Sequence, residues 1–342
     1  MNKTVVKNCS KKVTATFIIP LIVYLVMMAV CGANGTMFNI FSYASFSTIM
    51  KSAAYMAIVA LGIGFQLKYG RFDFSGGAII VVSATIGGVL CDITGLGIWF
   101  LLLSSVLIGM LLSLINSLIY VTVRIPISVC SLAIAYLFEA IPGIVLNGKT
   151  GPNILYRDTY TSLGLFPLIL LPLGIALAIY FVYGRFTVAG RQSALLRENQ
   201  LASVNIGINE KKNTIITYLI SGLLFGLAGA IYATQNELKT ITTPLETAGT
   251  LFSNIIPSLV GLFLSRYIDD SLGTFVGAFT ISTLYYGLDL VGLQGGAKTL
   301  SYSLFLAVFI FISGFWDQII MYIKIWFKNL YFKFKKPDIA NE

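Results

Sequence analysis

Few residues in this 342-residue chain have the type and spacing to do chemistry. Gly143-Ile144-Val145-Leu146-Asn147-Gly148-Lys149-Thr150 satisfies G-x-x-x-x-G-K-[ST], the pattern of a loop that cradles nucleotide phosphates. A working cradle follows a strand and opens a helix, so that backbone N–H groups converge on the anion. Here the run closes an apolar stretch and leads into Gly151-Pro152, so it is read as a chance match. Histidine is absent, and Cys9, Cys31, Cys91 and Cys130 form no C-x-x-C pair. Metal sites, nucleophile–histidine pairs and imidazole proton relays therefore lack their parts. A disulfide between Cys31 and Cys91 and a set of free helical thiols are both open readings. Two carboxylates stand out: Asp73, beside Ser75 in a glycine-rich turn, and Glu139, inside an apolar run. Neither is part of an in-membrane carboxylate pair, which argues against a catalytic membrane enzyme. An ionisable residue inside a span is a pathway candidate by default, although a place near the outer end would let Glu139 reach water.

The elements that must position these groups are membrane spans. Hydrophobic residues make up 57% of the chain, charged residues 11%, and the mean hydropathy is +0.86. A water-soluble globule of this size could not carry those values without very large exposed apolar patches. The expected fold is an all-α integral membrane protein with about ten transmembrane helices, in windows of roughly 20 apolar residues. These fall within 14–32, 48–66, 75–92, 97–122, 127–147, 163–183, 214–232, 251–264, 272–290 and 299–318. The first window lacks the small-residue cleavage pattern of a removable signal and is read as a retained helix.

Charge sets the orientation. Placing Lys3, Lys7, Lys11, Lys12, Lys68, Arg71, Arg124, Arg185, Arg191, Arg197, Lys211, Lys212, Arg266 and the tail Lys324, Lys328, Lys333, Lys335 and Lys336 inside leaves only Lys51, Lys149, Arg157, Lys239 and Lys298 outside. Both termini are then cytoplasmic. The chain divides into a cytoplasmic segment 1–13, a membrane domain 14–318 and a basic cytoplasmic tail 319–342. The net charge of +9 is this orientation signal, directed at anionic membrane lipid, and calls for no nucleic acid.

One long polar stretch breaks the apolar pattern. Residues 184–213, GRFTVAGRQSALLRENQLASVNIGINEKKN, lie between two spans and are expected to present a short helix outside the bilayer. Within them Asn199, Ala202, Ser203, Gly207 and Ile208 keep the spacing N-x-x-A-[AS]-x-x-x-G-I. Small residues suit a helix seated in a partner's groove, and glycine permits the positive-φ exit that ends such a helix. An amphipathic loop helix is the alternative these five positions leave open. The pattern resembles the cytoplasmic coupling segment of sugar-type ABC importer permeases, the ribose permease family.

The likeness runs from about residue 48 to 318. Gly70-Arg71-Phe72-Asp73-Phe74-Ser75-Gly76-Gly77 is similar to the family's G-G-I-D-L-S-x-G signature. It reads either as a tight turn with an Asx cap or as a helix break lining the route, its backbone served by Asp73 and Ser75. Gly109 to Pro126 is similar to the G-x-x-x-G-x-x-N-G run, with Asn116 in the asparagine's place, as helix glue or as a contact for a passing solute. Tyr218 to Gly229 is similar to Y-x-x-S-G-x-x-A-x-x-A-G; its Gly222 and Gly226, and Gly273 with Gly277 farther on, form small-xxx-small packing faces.

The resemblance implies a permease subunit of an ATP-driven importer in the cytoplasmic membrane. It would take a small neutral polar solute, a sugar such as a pentose or hexose, from an extracytoplasmic solute-binding protein and pass it inward by alternating access. A nucleoside is the alternative within the family; a stand-alone secondary transporter or channel is the alternative outside it, disfavoured because the spans carry few ionisable groups. The chain holds no cofactor on this reading. ATP and Mg belong to a separate ABC ATPase subunit that docks on Asn199, Ala202, Ser203, Gly207 and Ile208. Glu139-Ala140 and Val260 to Asp270 depart from the family pattern, which leaves open whether the second permease is an identical copy or a paralogue.

Overall fold

A computed structural model describes residues 3–123, 125–152 and 158–316, together with 318, 321, 322, 325 and 326; side chains are described from residue 16, those of 158 and 159 apart. Arg124, Arg157 and the lysines of the basic tail lie outside the described residues. Every regular element described is helical. In chain order these are α1 (Lys3–Ala33), α2 (Tyr43–Lys68), α3 (Gly76–Thr94), α4 (Ile98–Val123), α5 (Ile127–Val145), a short α6 (Asp158–Thr161) with a 3-10 turn after it, α7 (Leu170–Phe186), α8 (Val188–Glu198), α9 (Gln200–Asn205), α10 (Glu210–Gln235), α11 (Glu246–Leu264), α12 (Asp270–Leu290) and α13 (Gly295–Gly314).

Helices occupy all ten expected windows, but fewer qualify as spans. Among the described residues eight are long and apolar enough to cross a membrane, or nine if α7 and α8, bent by 70° at Thr187, count as one. Two windows fall short: α7, at 17 residues, counts only when joined to α8, and α12 has the length but carries Ser271, Thr274, Thr280, Ser282 and Thr283, all buried. α1 runs unbroken from Lys3, across the boundary expected at residue 13. Residues up to Val291 form one compact unit; α13 belongs to a second.

Within the first unit, burial identifies the centre. The apolar windows of α2, α3 and α10 are each 72% buried, against 33% for α4 and 39% for α5. Helices apolar on all faces fill a core, and those buried on one stripe surround it. Ala57, Ile58, Leu61 and Phe65 of α2, Ile79 and Val82 of α3, and Leu224, Phe225 and Ala228 of α10 belong to one continuous cluster. The surrounding helices keep apolar side chains such as Phe17, Ile22 and Leu107 exposed, as a lipid-facing surface requires.

α10 packs most closely on α4. A Cβ on Gly109 would stand 2.6 Å from the Gly222 carbonyl oxygen and 2.7 Å from Gly226 Cα, and one on Gly226 would stand 2.6 Å from the Ser105 carbonyl oxygen. The backbones touch, so no side chain fits at these positions. Gly273 and Gly277 of α12 sit against α11 in the same way, 3.0 Å from the Gly261 oxygen and 2.9 Å from the Pro257 oxygen by the same measure.

The ends of the bundle separate the charges. At one end Lys68 pairs with Asp270 and Arg185 Nε donates to Asp269 Oδ2 at 3.2 Å, beside the 188–213 segment. At the other, Gly151 N donates to the Leu238 carbonyl at 2.6 Å, and Lys239 lies 3.6 Å from Glu246. Lys68 and Arg185 thus lie at the opposite end of this unit from Lys239. Cys31, Cys91 and Cys130 are buried and free.

Candidate translocation and coupling site

The turn between α2 and α3 is built by local hydrogen bonds. Gly70, at φ +70°, closes α2, with Arg71 N donating to the Gln66 carbonyl at 2.9 Å and Gly70 N to that of Leu67 at 3.1 Å. The chain then crosses the bundle interior to Ser75, where Asp73 Oδ1 accepts from Ser75 N at 2.7 Å in an Asx turn.

Asp73, Ser75 and Asn116 come together in one buried cluster. Asn116 Nδ2 donates to Asp73 Oδ2 at 2.8 Å and to Ser75 Oγ at 2.7 Å. Gln66 Nε2 approaches Asp73 Oδ2 at 3.3 Å and Ser221 Oγ at 3.2 Å, and Phe74 N donates to Ser131 Oγ at 3.0 Å. Helices α2, α3, α4, α5 and α10 therefore meet around one carboxyl group, which is 1% exposed and surrounded by neutral donors. Gln66 Oε1, Asn116 Oδ1 and Tyr218 Oη are buried with no hydrogen-bond partner. Asp73 thus caps the turn locally, as the Asx reading expects, and also ties it to α2 and α4 through Gln66 and Asn116. Gln66 and Ser221 were not singled out from sequence. The reasoning applied to Asn116, that an amide in a span must find a partner, would have found Gln66 as well.

Glu139 lies elsewhere. It is 6% exposed, in α5, and its carboxylate serves the start of α11. Oε2 accepts from Leu245 N at 2.7 Å; Oε1 accepts from Thr247 N at 2.9 Å and from Thr247 Oγ1 at 2.5 Å. Leu245, at φ +59°, is in the left-handed region that non-glycine residues seldom occupy. A carboxylate against unpaired N–H groups at a helix N-terminus is favoured by both hydrogen bonding and the helix dipole. Its bonds are those of a cap supplied by another helix.

The 188–213 segment forms two helices and an exit. Thr187 Oγ1 accepts from Gly190 N at 3.0 Å and starts α8. Asn199 Oδ1 accepts from Ala202 N at 3.0 Å and starts α9, and Gly207, at φ +94°, ends the turn after it. Four of the five signature positions thus have a local role: Asn199 caps, Gly207 permits the exit, and Ser203 and Ile208 are buried anchors. Ala202 is exposed, along with Leu201, Val204 and Ile206. Apolar side chains exposed on a short helix beyond the spans mark a contact surface. The G-x-x-x-x-G-K-T run ends α5 at Val145 and turns through Asn147 and Gly148, both at positive φ. That is a helix C-terminus, opposite in polarity to a phosphate cradle.

A bundle of apolar helices tied together by polar groups around one buried carboxyl, with exposed apolar side chains on the short helix α9, has the build of a membrane transport subunit. The chain belongs to the family described as the branched-chain amino acid transport system / permease component, whose profile matches residues 45–313. It is 25% identical over 288 residues to the ribose import permease protein RbsC of Escherichia coli (strain K12), covering 80% of this chain and 86% of that one. It is 23% identical over 252 residues to the autoinducer 2 import system permease protein LsrC of Yersinia pestis, covering 72% and 70%. The chain is a permease subunit of an ABC importer: a multi-pass membrane protein and a transport subunit, not an enzyme.

Proposed function

We propose that this permease moves a small neutral polar solute, a sugar such as a pentose or hexose, inward from an extracytoplasmic binding protein. A second copy or a paralogous permease completes the path. A separate ABC ATPase, which binds the ATP and Mg, docks on Asn199, Ala202, Ser203, Gly207 and Ile208 and drives alternating access. The observation that carries the solute class is the Asp73, Ser75 and Asn116 cluster. Its groups are neutral donors and acceptors around one carboxyl, suited to hydroxyl groups rather than to a charged cargo. The names of the ribose and autoinducer 2 relatives support a neutral polar solute, and nucleosides fit the same chemistry. The test is uptake by proteoliposomes holding the permease, its ATPase and its binding protein, with labelled ribose, glucose, adenosine and leucine. Uptake of leucine alone would overturn the proposal.

The separated charges support an orientation with residues 184–213 inside, which gives its own prediction. Single cysteines at Ala194 and Asn209, in a cysteine-free background, are expected to resist an impermeant maleimide in intact cells and to react once cells are opened. A cysteine at the exposed Glu246 is expected to react from outside. Ser193 is unsuited to this measurement because it is buried at 1% exposure. Efficient outside labelling at Ala194 would reverse the topology.

A further inference from the structure

Arg71 and Asp73 stand two residues apart on one turn and face different networks. Arg71 is 8% exposed; its Nη1 donates to Asn213 Oδ1 at 3.1 Å and approaches Thr217 Oγ1 at 3.4 Å. Asn213 in turn holds α8: its Nδ2 donates to the Ala189 carbonyl at 2.9 Å, and its Oδ1 accepts from Ser193 Oγ at 2.9 Å. Tyr183 Oη lies 3.2 Å from Ser193 Oγ and 3.3 Å from Thr217 Oγ1, which brings in the end of α7. The turn also lies against the far end of α8, since a Cβ on Gly70 would meet Arg197 Cγ at 3.8 Å. A continuous set of bonds therefore runs from α8 through Asn213 and Arg71 into the turn. Two residues on, Asp73 passes it to Gln66, Ser75 and Asn116.

A buried guanidinium held by neutral acceptors is a costly choice where helix packing alone is needed. Arg71 also occupies a place where the signature that this turn resembles has glycine. Its long reach and several donors suit it to span the gap between a moving loop and a buried turn. We infer that Arg71 is a positioning residue that links α8 to the Asp73 cluster, so that displacement of α8 by the ATPase moves the 69–75 turn and the helix ends knotted around it. The inference rests on the proposed docking of the ATPase on Asn199 to Ile208, the stretch that directly follows α8.

The test uses the full permease with its ATPase in nanodiscs, trapped with ATP and vanadate. A nitroxide at Ala194, on α8, reads the input. A pair at Leu118 in α4 and Leu137 in α5, both exposed, reads the output as a spin–spin distance. Wild type is expected to respond at both places. Arg71→Met keeps the response at Ala194 while the shifted fraction of the pair falls about tenfold, the effect of losing one charge-assisted hydrogen bond. Arg71→Lys, which keeps a charged donor, recovers the shift to within about threefold of wild type. A purely structural role would lower assembly and both responses together. Asn213→Leu removes both of the amide's bonds to α8 and the nearer acceptor of Arg71 with little change of shape, and it decides the matter if Arg71→Met does not insert; it is expected to reduce the output and spare the input. A wild-type output in Asn213→Leu or in Arg71→Met overturns the inference, as does a silent pair in a wild type whose Ala194 responds. A silent Ala194 in the wild type, with the ATPase bound, overturns the docking reading itself.

Discussion

A Glu139→Ala permease is expected to lose about 3–5 kcal/mol of stability, because the carboxylate is the acceptor for three donors at the start of α11. Two of those donors are backbone N–H groups, and Leu245 would lose the acceptor for its N–H while keeping its left-handed conformation. Glu139→Gln keeps the volume, but its amide must turn an NH₂ group toward one of the N–H donors, so an intermediate loss is expected. Heating detergent-solubilised protein and following the monodisperse fraction by gel filtration reads both. A pathway role without a capping role would give the reverse result: both variants as stable as wild type, and altered only in transport.

The second large effect is expected from Ala202→Trp. Ala202 is exposed, and its own N–H is satisfied by Asn199, so an indole there leaves the fold of α9 undisturbed. In a packed contact with an ATPase the same indole costs about 1–3 kcal/mol, enough to weaken the complex by roughly one to two orders of magnitude. Normal membrane insertion with poor co-purification of the ATPase, or co-purification without solute-stimulated hydrolysis, is the expected result. Gly207→Trp is the weaker probe, because at φ +94° any side chain strains the backbone whether or not a partner is present. Thr187 makes a poor control, since its hydroxyl caps α8 and also donates to the Tyr183 carbonyl at 2.8 Å. Arg191, exposed on α8, is the better one. Wild-type association and transport in Ala202→Trp would remove the 199–208 segment from the coupling role.

The helices could be read from apolar runs because lipid forces each span to satisfy its own backbone, and so every span must be long and apolar. α12 shows the limit of that rule: the hydroxyls of Thr274, Thr280 and Thr283 bond to carbonyls four residues back in the same helix, while Ser271 bonds to Asp269 and Ser282 to Met56, so a more polar helix is tolerated in the interior. The grouping of Asp73 with Ser75 was local and visible. Gln66, seven residues from Asp73, was open to the same reasoning as Asn116; the link onward to Ser221 was not, because the Gln66 and Ser221 pair spans 155 residues of chain. Glu139 drew attention for the correct physical reason, the cost of a buried charge, yet its partners at Leu245 and Thr247 lie more than a hundred residues on, in a turn with no sequence signature. Arg71 was read only as an orientation charge. Nothing in its neighbours along the chain announces Asn213.

The seam between α4 and α10 limits how this permease can move. With Gly109, Gly222 and Gly226 placing main chain directly on main chain, a shift by one helical turn would drive Ser105 or Ser113 into backbone with no room to yield. The two helices must therefore travel as a single strut, and a change of access has to be made by the parts that pivot around it. Two labels placed along this strut, one on each helix, should report the same separation in every state of the cycle, which makes the pair a fixed ruler against which the motion of the rest can be measured.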